Sequence, residues 1–95
     1  MQTARKQKVA ENELLLENVV KHVGQLGRSR PDGAVDVICE CVRDGCRAML
    51  AVPFREYART RSTEPRRFMI VAGHESPTLD AVVERRDRYL LVEEC

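Results

Sequence analysis

Val35-Asp-Val-Ile-Cys39-Glu40-Cys41-Val42-Arg43-Asp44-Gly45-Cys46-Arg-Ala-Met-Leu-Ala-Val52 is the stretch on which the fold turns. Partial alternation and β-branched residues from Val35 to Val42 predict a strand. Arg43-Asp44-Gly45 reads as a turn. Cys46 to Val52 is then a second strand, antiparallel to the first. Downstream, Pro53 opens a short helix to about Arg61, because proline is tolerated at the first helical position. Phe54, Tyr57 and Ala58 give that helix one buried face. Arg67 to Ala72 is a third strand, ended by Gly73. Leu79 to Arg86 fits a helix or a strand. Val82, Val83 and the following Arg-Arg-Asp-Arg favour a hairpin into Tyr89 to Glu93.

Upstream, residues 1–10 are polar and read as a flexible N-terminal tail. From Glu11 a helix is predicted, with Leu15, Leu16, Val19, Val20, Val23 and Leu26 on one stripe. Gly24 weakens it, Gly27 is a natural stop, and the composition of residues 28–33 is that of a loop. The predicted class is α+β. An N-terminal amphipathic helix precedes a small, mostly antiparallel sheet with one short inserted helix, all in a single domain over residues 11–95.

The 95 residues suffice for one modest core. Sixteen basic and fifteen acidic residues leave a net charge of +1, which excludes a generic polyanion binder acting by bulk charge. The longest apolar stretches, such as Ala48 to Phe54, fall far short of the ~20 residues of a membrane span. No signal-peptide core follows the basic start, so a cytoplasmic protein without membrane association is expected.

Four cysteines in such a chain point to metal binding or redox chemistry. Side chains two apart on a strand share a face, so Cys39 and Cys41 can enter one site. The turn returns Cys46 toward them, and Gly45 permits the dihedrals of a tight knuckle around sulfur. Three thiolates leave a tetrahedral zinc site one ligand short, and His74, directly after Gly73, is the candidate fourth. Plain packing and thiol chemistry stay open for these cysteines. Cys95 reads as an exposed thiol, His22 as an ordinary helix residue, and Glu75 as a surface carboxylate or an outer partner of the histidine. No nucleophile elbow, phosphate loop, zinc-protease motif or dinucleotide fingerprint occurs, and four protein ligands leave no open coordination position. An enzyme is not expected.

Arg55, Arg59, Arg61, Arg66 and Arg67 form one basic cluster, with Arg55 and Arg59 on one helical face; Arg85, Arg86 and Arg88 form another. A nucleic-acid surface would need these together, with aromatics for stacking, and Phe54 and Tyr57 suit core packing better. Leu16, Val19 or Val20, Val23 and Leu26 approximate a short heptad seam, which packs on the sheet, pairs two chains or docks on another protein.

Several of these elements resemble a group of short actinobacterial proteins. The shared features are a leading amphipathic helix, Cys39-Glu40-Cys41 with Cys46, Glu56-Tyr57, Arg67-Phe68, Gly73-His74, and Val82-Val83-Glu84 with Asp87 and Tyr89. The resemblance covers about residues 13–94 and implies that Cys39, Cys41, Cys46 and His74 are one set; it implies no particular activity. Arg88 stands where that pattern has glycine, and the chain ends in Cys95. The expectation is a zinc-stapled cytoplasmic interaction module, protein-binding and regulatory, with metal ligands Cys39, Cys41, Cys46 and His74 and partner residues Leu16, Val20, Val23, Arg55 and Arg59. The alternatives are a thiol-based redox or metal sensor and a nucleic-acid binder.

Overall fold

The computed structural model describes residues 2–21 and 33–94, with residues 18–21 by their backbone alone. The order is α1 (Thr3–Lys21), β1 (Ala34–Ile38), β2 (Met49–Pro53), α2 (Phe54–Ser62), β3 (Arg67–Val71), β4 (Asp80–Arg85) and β5 (Tyr89–Glu94). The predicted α+β class is what forms: an N-terminal helix, small antiparallel sheets and one inserted helix. The expectations placed on His22, Val23, Gly24, Leu26, Gly27, residues 28–32 and Cys95 lie outside the described residues, as do the side chains of Val19 and Val20.

One expectation is overturned at the start of the chain. Residues 3–10 are not a flexible tail but the first turns of α1. Alanine, arginine, lysine and glutamine are strong helix formers, and the Gln2 side chain accepts the Arg5 amide at 3.0 Å, closing the first turn. The buried face also differs from the predicted stripe. Ala4, Arg5, Lys8, Val9 and Asn12 are buried, whereas Leu15 is 41% exposed and Leu14 62%. Leu16 is half-buried and packs against the second of the two core clusters below.

Strand β1 pairs antiparallel with β2, with Val37 opposite Leu50 and Val35 opposite Val52. Leu50 and Val52 point inward while Met49 and Ala51 face out, the period of two that a half-buried strand requires. Strand β5 is central in a separate antiparallel sheet of order β3-β5-β4. Its run Tyr89–Leu90–Leu91–Val92 is buried throughout because both faces of this sheet are covered. Phe68, Ile70, Leu90 and Val92 face Val9, Cys39 and Cys41. Met69, Tyr89 and Leu91 face Val37, Leu50, Val52 and Tyr57.

Residues 80–94 form the hairpin rather than a helix. The Arg86 amide donates to the Tyr89 carbonyl at 2.9 Å, and no described non-glycine residue takes a positive φ. Arg88 is therefore accommodated in this turn without a positive φ. A bulge between Val82 and Glu84 interrupts β4, an edge strand, which hinders further pairing on that side. Pro53 ends β2 and stands as the N-cap of α2, one residue before its expected place.

Candidate metal centre

The two predicted strands of the first hairpin are shorter than expected, and the difference builds the site. The Cys39 amide still donates to Ala48 at 2.8 Å, but the next amide, Glu40, donates to Met69 of β3 at 2.9 Å. The chain thus leaves β2 at Cys39 and runs onto the free edge of β3. That crossing brings Cys39 and Cys41 to the end of β3, where His74 sits.

The other two candidate ligands ride on matching turns. In Arg43-Asp44-Gly45-Cys46 the Cys46 amide donates to the Arg43 carbonyl at 3.3 Å; in Val71-Ala72-Gly73-His74 the His74 amide donates to Val71 at 3.0 Å. Each turn places glycine just before the ligand, with φ of 82° at Gly45 and 95° at Gly73, a region that side chains with a Cβ rarely adopt. The Arg43 guanidinium donates to the Gly73 carbonyl at 3.0 Å and ties the two turns together.

The ligand atoms of Cys39, Cys41, Cys46 and His74 all lie within 4.8 Å of one another. His74 Nδ1 is 3.6 Å from Cys39 Sγ and 3.5 Å from Cys46 Sγ. Metal–sulfur bonds of ~2.3 Å and metal–nitrogen bonds of ~2.0–2.1 Å at tetrahedral angles give an S···N edge of roughly 3.6 Å. The four groups are therefore close enough to hold a metal ion. Cys39, Cys41 and Cys46 are free thiols, the first two buried and the third half-buried; His74 is half-buried as well.

Donors already point at the sulfurs. The Val71 amide is 3.2 Å from Cys39 Sγ, and Lys8 Nζ is 3.3 Å from Cys41 Sγ. Burial pushes the Cys39 thiol up to about 12, so in the metal-free protein it holds its proton at neutral pH. Burial acts the same way on Cys41, but the Arg43 backbone, Lys8 and the neighbouring thiols together outweigh it and the net shift is downward. His74 is lowered, first by burial and then by the charges of Arg43 and Lys8, which favours the neutral imidazole that ligates metals. Glu75 Oε1 is buried without a hydrogen-bond partner among the described residues.

Of the expected partner residues, Arg55 and Arg59 are exposed on α2. The residues that sequence reasoning missed are polar. Arg5, Lys8, Asn12 and Glu40 are all buried, and each contacts the segment that carries Cys39 and Cys41 or belongs to it. The spacing of residues 5, 8 and 12 on a helix was the available signal, hidden because polar residues ordinarily face solvent.

Among the described residues no helix is long and apolar enough to cross a membrane. No protein-family model, no curated protein and no solved structure matches this chain.

Proposed function

We propose that this chain is a small domain stapled by one structural zinc ion, held by Cys39, Cys41, Cys46 and His74, and that it serves as a protein-interaction module in a regulatory role rather than as an enzyme. The observation that carries the zinc reading is the close convergence of three thiols and one imidazole, Cys39 and Cys41 from the segment that crosses to β3 and Cys46 and His74 from two glycine-preceded turns. Zinc suits a sulfur-rich tetrahedral set, and four protein ligands leave no position for substrate. A core this small gains much of its stability from such a clip. The interaction reading is supported by Leu14 and Leu15, exposed on α1, and by Arg55 and Arg59 on α2.

The test is metal content per chain on protein purified under reducing conditions, for wild type, Cys41→Ser and His74→Ala. About one zinc per wild-type chain, lost or weakened in both variants, supports the site; freshly reduced wild type without metal sinks it. Chelation should unfold the loaded domain, because metal-binding energy is folding energy. Pull-down of the loaded protein from its native cytosol, paired with its oligomeric state, tests the interaction role. A monomer with no stoichiometric partner would remove that role.

A thiol-based sensor is the second reading, favoured by the half-exposure of Cys46 and His74 at the site. It requires that mild peroxide release the metal and that reduction restore it. The nucleic-acid reading loses support from the arginines themselves. Arg61, Arg67 and Arg86 are engaged in ion pairs with Glu40, Glu93 and Glu56. Arg59 and Arg67 line a polar cleft of about 200 Å³ whose charge is balanced by Glu56 and Glu84.

A further inference from the structure

Helix α1 turns a largely polar face toward the candidate metal centre, with Val9 packed among Cys39 and Cys41 between its polar residues. Arg5, Lys8 and Asn12 lie three and four residues apart, on one side of the helix. Arg5 Nε donates to the Glu40 carbonyl at 2.7 Å, and its two terminal nitrogens hold Asp80 at 2.8 and 3.1 Å. Lys8 Nζ reaches Cys41 Sγ at 3.3 Å and the Arg43 carbonyl at 3.0 Å. Asn12 takes both backbone groups of Ile38, each at 2.8 Å. The helix therefore clamps residues 38–43, the segment that presents Cys39 and Cys41. Asp80 in turn accepts the Ser76 amide at 2.9 Å, so the same clamp reaches the loop that leaves His74.

We propose that α1 is the outer wall of the metal centre, that its docking and metal loading are thermodynamically linked, and that Lys8 is the positioning residue and counter-cation of the loaded cluster. This deepens the zinc reading and rests on it. Loading forms three Zn–S bonds and one Zn–N bond, and the thiol protons leave to solvent. Three thiolates, a neutral imidazole and a divalent ion then sum to one negative charge. A charge in a largely buried site needs a partner, and Lys8, 4% exposed, places its ammonium against a ligand sulfur. The ion fixes the cysteines, and with them the carbonyls that Arg5, Lys8 and Asn12 bind; the helix, docked, fixes the same segment for the ion. Such coupling is reciprocal by necessity.

The experiment measures zinc affinity by competition with a chromophoric chelator for wild type, Lys8→Met and Lys8→Arg, together with hydrogen exchange of α1 amides with and without zinc. Lys8→Met is expected to lower zinc affinity about tenfold or more, the usual effect of an outer-shell change, and Lys8→Arg to restore most of it. Removing zinc is expected to speed exchange in α1, whether the helix undocks alone or the whole chain unfolds with it. Equal zinc affinity in wild type and Lys8→Met overturns the proposal, as do α1 exchange rates that ignore zinc. If chelation unfolds the whole chain, the Lys8 variants still decide, because Lys8→Arg keeps the cation that Lys8→Met removes. A wild type that takes up no zinc overturns both this proposal and the zinc reading. A wild type that loads while Lys8→Met loads equally well overturns this one alone.

Discussion

Glu40→Gln removes a charge where three elements meet on a single side chain. The Glu40 carboxylate is fully buried. One oxygen accepts from Asn12 Nδ2 at 2.9 Å and from the Tyr57 hydroxyl at 2.7 Å. The other accepts from Arg61 at 3.0 Å and from the Met69 amide at 3.1 Å. Helix α1, helix α2 and strand β3 are thus joined through four donors, which fill the carboxylate. Glutamine has the same shape but brings an NH2 group against some of those donors and leaves Arg61 uncompensated. The Arg61 side chain is only 9% exposed, so solvent cannot replace the lost partner. Breaking a buried pair from one side costs about 3–5 kcal/mol. A chain of this length has a total stability of roughly 5–14 kcal/mol, so the loss is a large fraction of it. At roughly 4–8 °C per kcal/mol the midpoint should fall by at least ~12 °C.

The assay is urea and thermal denaturation of protein purified under reducing conditions, followed by far-ultraviolet circular dichroism. Arg61→Met and the double variant complete a cycle. Because removing both charges leaves neither orphaned, the double variant should be less destabilised than the sum of the two, by about 1–3 kcal/mol. A Glu40→Gln variant within ~1 kcal/mol of wild type, or a coupling energy near zero, would refute the buried-hub reasoning.

Three further outcomes are expected. Both tyrosines of the chain have raised phenol pKa values, Tyr57 through burial and then the Glu40 charge, and Tyr89, to about 12, through burial and then its hydrogen bond with Glu56. A neutral phenol in the folded state against one that ionises near 10 when unfolded means stability is level below pH 10 and falls above it. Absorbance at 295 nm should stay flat to pH 10 in native protein and rise there in urea; native ionisation near 10 would contradict this. Gly45→Ala and Gly73→Ala meet no neighbouring atom within 4 Å, so only their positive φ resists the methyl group. Each should cost about 1–2 kcal/mol and weaken metal retention, and a neutral effect on both would remove the two-turn account of the site. Glu11→Gln breaks the exposed pair with Arg47 and should leave the thermal midpoint unchanged, since solvent screens such pairs; a clear drop in that midpoint would show the pair to be structural.

Much of this molecule could be read along the chain, and the rest could not, for one physical reason. The apolar run from Ala48 to Val52 after a turn, the Phe54–Tyr57–Ala58 spacing and the run Tyr89–Val92 are local patterns, and they place β2, α2 and β5 from sequence alone. Cys39-x-Cys41-x4-Cys46 and Gly73-His74 are likewise local, since glycine before a ligand is a requirement of the turn itself. What only the tertiary structure decided is which polar residues go inside. Arg5 finds Asp80 across 75 positions, Asn12 finds Ile38 across 26, and Lys8 finds Cys41 across 33. No period distinguishes a lysine that will meet a buried sulfur from one that will meet water. Until the chain closes, each costs more inside than outside, and only the partner supplied by the fold reverses that sign.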